Sequence, residues 1–126
     1  MTSSVLIDLE LMLRNPGGFD LVSFVRLDSP SGMQVSIGGE GYEMHVATKT
    51  TVAPPGEPAE HGITVLAGTY DGERGPGSIL IAVNCGQEPP VLQISSRAIA
   101  GAVQAWSWEI THDIQHRILD VFSDCG

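Results

Sequence analysis

The sequence predicts an α+β fold: an antiparallel, meander-like sheet of about six strands from the first ~90 residues, packed by one long C-terminal helix. Three observations lead there. All eight prolines lie at or before Pro90, and thirteen of the fifteen glycines precede Val91, leaving Gly101 and Gly126. Up to Val91, apolar and polar residues alternate at the period of a strand. Beyond it, apolar residues recur at helical spacing with no proline between them. The whole chain, 1–126, reads as a single domain, strand-rich over 1–90 and mainly helical over 91–126, because the helical part alone has nothing to bury its apolar face against.

The first strand is expected over Val5 to Leu13, where Val5, Ile7, Leu9, Leu11 and Leu13 share one face and Asp8 and Glu10 the other. Asn15-Pro16-Gly17-Gly18 is a turn. Phe19, Leu21, Val25 and Leu27 continue the apolar alternation, with Asp20, Arg26 and Asp28 opposite. Cross-strand neighbours share a face, so Leu13 should lie opposite Phe19 or Leu21, through an odd-numbered loop, and not opposite Asp20.

Ser29-Pro30-Ser31-Gly32 is the next turn, followed by a third strand through Met33, Val35 and Ile37. Tyr42 to Val52 is the fourth, with Tyr42, Met44, Val46 and Val52 on one face and Glu43, His45 and Lys49 on the other. A proline-rich loop covers Ala53 to Gly62. Strands five and six run over Ile63 to Tyr70 and Ile79 to Val83, and Val91 to Ile94 is a short seventh candidate.

Ser95 or Ser96 suits the N-cap of the helix. Ile99, Val103, Trp106, Ile110, Ile114, Ile118 and Val121 fall in one arc that would cross the sheet. A helix from Ser96 to Phe122 spans roughly 40 Å, so a bend or a start near Gly101 is expected. Trp106, Trp108 and Ile110 also alternate with Ser107, Glu109 and Thr111, as a strand would. The helix is preferred because the spaced series runs on to Val121. On that helix Trp108, His112, Gln115 and Leu119 form a second stripe opposite the core arc. Tryptophan is enriched both in cores and at interface anchors, so a long loop of the same chain, a symmetric copy or a partner is expected to cover this face, and these four residues are the expected partner-binding set.

Fifteen acids against six basic residues give a net charge of −9. Such a surface repels phosphate backbones, so no direct nucleic-acid binding is expected, and a basic partner or self-association is. Met1 to Ser4 carries no basic residue and the apolar stretch after it is broken by Asp8 and Glu10, so neither a signal peptide nor a membrane span is expected; the reading is cytoplasmic. Cys85 and Cys125 make no disulfide framework.

No catalytic set stands out. His112 and His116, four apart, with Glu109 or Asp120 beside them, are the best metal constellation, yet the ordinary reading of that pattern is a solvated helix face, and no metal and no cofactor are expected. Cys85 would need His45 or His61 as a base; it reads more simply as a small buried residue. Glu43 and His45 share the polar face of strand four and could pair as acid and base in a cleft, but exposed sheet faces bring such residues together by accident often. The glycine-rich stretches 38–41 and 72–77 contain acids and no phosphate-binding pattern.

The expectation is a small acidic, non-enzymatic interaction protein (an inhibitor, immunity protein or antagonist of a basic partner) acting by occlusion, with acids at 57–60 and 71–73 steering and Trp108 and Leu119 anchoring. Two alternatives stand beside it. One is a ligand-binding or enzymatic domain with a pocket between sheet and helix, lined by Trp106, Tyr42 and Met44. The other is a structural subunit of a phage or secretion assembly.

Overall fold

Eight strands and one short helix make up the chain in a computed structural model that describes residues 6–27, 31–72 and 75–123. Part of the expected Ser29–Gly32 turn, the acid Glu73 and the thiol of Cys125 lie outside the described residues, as do Val5 and Asp28. The strands are β1 (Leu6–Asn15), β2 (Gly18–Arg26), β3 (Gly32–Ile37), β4 (Glu40–Val52), β5 (Ile63–Gly72), β6 (Gly75–Asn84), β7 (Val91–Ala98) and β8 (Val103–Glu109), followed by α1 (His112–Ser123). A single 3-10 turn, Ala59–His61, interrupts the β4–β5 loop.

Each strand pairs antiparallel with the next, so the sheet is a pure meander in the order β1 to β8. The last strand comes back against the first, giving a nearly closed barrel. Alternation puts one side chain in two inside. Phe24, Met33, Met44, Leu66, Ile81, Leu92 and Ile94 are fully buried there. The interior is therefore filled by side chains, as small eight-stranded barrels are, and is not a hollow cup.

Connectivity separates the two mouths. The β2–β3, β4–β5 and β6–β7 loops and α1 lie at one end; the remaining connections between strands lie at the other. The helix covers the first mouth. Thr111 caps it, its Oγ1 accepting the Ile114 N–H at 3.4 Å. Ile118, Val121 and Phe122 point into the barrel, and the Phe122 ring meets Phe24 edge-on with centroids 6.0 Å apart. No helix among the described residues is long and apolar enough to cross a membrane.

The structure corrects the sequence reading in three places. First, the seventh strand expected at Val91 to Ile94 runs on to Ala98 and an eighth follows over Val103–Glu109 where helix was expected, so the sheet has eight strands and the helix only twelve residues. The break is a turn at Ala98–Ala102: Gly101 takes φ +98°, and the Ala98 N–H donates to the Ala102 carbonyl at 2.9 Å. The arc containing Ile99 and Val103 was a coincidence of spacing, and both residues are exposed.

Second, Leu13 pairs with Asp20. The β1–β2 loop is the two-residue Pro16-Gly17, with the Asn15 Oδ1 accepting the Gly17 N–H at 2.8 Å. The even residues of β2 consequently point inward: Val22 and Phe24 are fully buried, while Phe19 and Leu21 lie outside. Asp20 is tolerated on the inner side because the Trp108 indole N–H donates to its Oδ2 at 2.9 Å, across β1.

Third, Val52 lies on the outer side, and Lys49, itself exposed at the α1 mouth, takes the inner-side register. A bulge between Val46 and Thr48 inverts the alternation, so Lys49 lies opposite the buried Leu66. Its ammonium donates to the Phe122 carbonyl at 3.3 Å. A cation thereby meets the carbonyl end of α1, where the helix dipole favours it.

Candidate functional site

Of the four residues expected on one stripe, two reach a common site and two do not. Trp108 lies on β8, 2 % exposed, with its indole tied to Asp20. Leu119 is half-buried against the core. His112 and Gln115 sit at the start of α1, on the wall of a cleft of about 560 Å³. The stripe required one continuous helix, and the chain turns from strand to helix between Trp108 and His112. Trp108, expected as the apolar anchor of a partner, belongs to the core.

The cleft lies where the Ala53–Gly62 loop, the β6–β7 loop and α1 converge. The first loop contributes Glu57, Glu60 and His61, the second Cys85 and Glu88, and the helix His112, Gln115 and His116. Among the described residues, no lysine or arginine lines it. Pro54, Pro55, Pro58, Pro89 and Pro90 keep both loops out of the ladder and send their carboxylates to the barrel rim.

Hydrogen bonds fix the protonation at its centre. The Gln115 Nε2 donates to the Glu60 carbonyl at 3.3 Å. A carbonyl only accepts, so the amide must present Oε1 to His112 Nδ1, 3.1 Å away. That nitrogen therefore carries its proton. The other, Nε2, faces both oxygens of Glu88 at 3.2 Å. Two acceptors on two ring nitrogens favour the imidazolium, and the pKa of His112 is raised, by the Gln115 bond first and then by Glu88. His61 makes a similar pair with Glu57 at 3.2 Å.

Cys85 is buried in the cleft wall, its N–H donating to the Gly62 carbonyl at 2.8 Å. Burial pushes its thiol pKa up and the Glu60 charge pushes it further. A nucleophilic cysteine needs the opposite environment. Among the described residues, no three His, Cys, Asp or Glu side chains are placed to hold one metal ion; His112 is instead engaged by Glu88 and Gln115. Glu43 and His45 are exposed on the outer face of β4.

Sequence reasoning named Glu57 and Glu60 as steering acids without placing them, and it missed Glu88. The two prolines after Glu88 mark it as a loop residue, but only barrel closure brings it to His112, 24 residues on. The chain matches no protein-family model, no curated protein and no solved structure, so its own geometry carries the functional argument.

Proposed function

We propose that this chain is a non-enzymatic acidic binding protein that takes a basic protein partner at the α1 mouth and acts by occlusion. The observation that carries the reading is the cleft itself: Glu57, Glu60 and Glu88 line one concavity that, among the described residues, holds no lysine or arginine and whose protonated His112 is already engaged by Glu88. A lysine or arginine head entering there meets carboxylates on two walls. The net charge of −9 speeds the encounter and the cleft supplies register. The filled interior and the protonated Cys85 thiol weigh against a catalytic role for this end of the barrel.

Calorimetry with an arginine-rich peptide tests it, using two charge-matched triple variants. Glu57→Gln/Glu60→Gln/Glu88→Gln removes three charges from the cleft; Glu10→Gln/Glu43→Gln/Asp71→Asn removes three exposed charges elsewhere. At about 0.15 M salt the cleft variant should weaken binding about tenfold more than the control. Equal losses would reduce the reading to net charge.

Self-association has one observation in its favour. Met12 and Leu21 pair on the outer face of β1 and β2, and with Phe19 they are 63 %, 42 % and 60 % exposed. Sedimentation of the wild type against Phe19→Ser/Leu21→Ser decides that reading: a dimer lost in the variant supports it, and a monomeric wild type removes it.

A further inference from the structure

At the mouth opposite α1 the wall is chemically unlike the rest of the barrel. A cavity of about 190 Å³ lies between the start of β4, the end of β5, the end of β7 and the start of β8. For scale, an apolar cavity of about 150 Å³ admits benzene. Tyr42, Tyr70 and Ser96 form its buried wall, at 3 %, 6 % and 5 % exposure. Tyr42 is the centre of an aromatic trio, edge-on to Tyr70 at 5.0 Å and to Trp106 at 6.1 Å.

This cavity holds more acceptors than donors. The Tyr42 hydroxyl stands 3.0 Å from Glu40 Oε2 and 2.7 Å from Gln104 Oε1. It has one proton and can serve only one of them. Ser96, on the same wall, works against the rise in the phenol's pKa. Turning the Gln104 carboxamide would relieve that residue, but the second Glu40 oxygen would still have no donor among the described residues. Burial first, and then Glu40, push the Tyr42 pKa up to about 12, so the phenol stays a neutral donor near pH 7. Among the described residues, no lysine, arginine or histidine lines the cavity.

We infer that this mouth is a binding site for a small organic cation with N–H donors, an amine or amidine of about six to ten heavy atoms, held by the Glu40 carboxylate and Gln104 against the Tyr42 and Tyr70 rings. The ammonium supplies the missing donors. The aromatic rings supply the face that a hydrated surface carboxylate lacks. Among the described residues, Gly72, Ala98 and Ala102 rim the opening, and none of these three carries a side chain larger than a methyl group. This site is independent of the cleft under α1 and stands or falls without it.

The test is titration with benzylamine, followed by calorimetry and backbone amide NMR, beside benzyl alcohol (same shape, neutral) and benzoate (anionic). Benzylamine should bind saturably with shifts centred on Tyr42, Tyr70, Ser96 and Gln104. Benzyl alcohol and benzoate should each be at least about tenfold weaker. Glu40→Gln should cost a similar factor of about ten, Glu10→Gln on the outer face of β1 should cost nothing, and Ala102→Phe should abolish binding by filling the opening. Equal binding of benzyl alcohol, unchanged affinity in Glu40→Gln, an equal loss in Glu10→Gln, or the absence of saturable shifts at the cavity overturns the inference. Should Glu40→Gln lose its folded spectrum, Ala102→Phe decides alone, and undiminished binding in that variant overturns the inference.

Discussion

The indole N–H of Trp108, on the last strand, donates to the carboxylate of Asp20, on the second, over 2.9 Å and 88 residues of sequence. This bond reaches across β1 at the seam where the sheet meets itself. It settles two features at once: why an aspartate is tolerated facing inward, and why a tryptophan that pattern alone places on a surface is in the core.

Trp108→Ala should therefore unfold the protein and not merely weaken a complex. Truncating a buried tryptophan costs about 3–5 kcal/mol, a large share of a small domain's stability. Trp108→Phe keeps most of the packing but strands the carboxylate, for about 1–2 kcal/mol. Thermal melts of Trp108→Phe, Asp20→Asn and the double variant should show losses that do not add. Additive losses would mean that the two residues act separately.

Lys49→Met should loosen α1. The substitution keeps the aliphatic stem and removes the donor to the Phe122 carbonyl. A loss of about 0.5–1 kcal/mol is expected, with faster amide exchange at the end of α1 and little change in β7. Uniform exchange changes through the barrel would contradict a local role.

Gly68 and Gly77 should refuse alanine. A Cβ at Gly68 would stand 2.0 Å from the His45 carbonyl, beside the β4 bulge, and one at Gly77 would stand 2.3 Å from the Arg97 carbonyl. Both obstacles are backbone, so neither can step aside. Each substitution should destabilise by more than about 2 kcal/mol in denaturant unfolding. Gly101, by contrast, meets nothing within 4 Å, and its substitution strains only the φ of +98°.

His112 should titrate above the ordinary histidine value of about 6.5. A raised folded value means that its contacts stabilise the fold fully below the unfolded value and cease to as pH climbs through the folded one. NMR titration of the ring protons reads the midpoint directly. Gln115→Leu should lower it most and Glu88→Gln should lower it as well, in the order of the two causes. An unchanged midpoint in both variants would undo the hydrogen-bond assignment at the cleft.

Much of the sheet was legible in the sequence and the closure was not. Met33, Val35 and Ile37, and Tyr42, Met44 and Val46, face inward as their alternation requires. Two local events then inverted the pattern. The Pro16-Gly17 turn is one residue shorter than an odd loop, and the bulge near Ala47 adds one residue to β4. Each exchanges the faces of everything beyond it, placing Asp20 and Lys49 on the inner-side register and Phe19 and Val52 on the outer side. Both polar groups on the inner-side register have partners from the last quarter of the chain, so nothing near them in sequence signals the solution. The helix reading failed for a related reason. Ile110, Ile114, Ile118 and Val121 are helically spaced across the start of a real helix, and the series extrapolated backwards through β8, where Trp106, Trp108 and Ile110 had the strand alternation all along. At the cleft, His112 and Gln115 were visible as a pair on one helical face, but Glu60 and Glu88 come to them only through loops that the barrel brings together.

Backbone amide NMR during titration with an arginine-rich peptide tests the acidic cleft most directly. Saturating shifts should cluster at Glu57, Glu60, Glu88, His112 and His116, and the same peptide should leave Glu10, Glu43 and Asp71 nearly still. Shifts spread evenly over the exposed acids, with no preference for the α1 mouth, would contradict it.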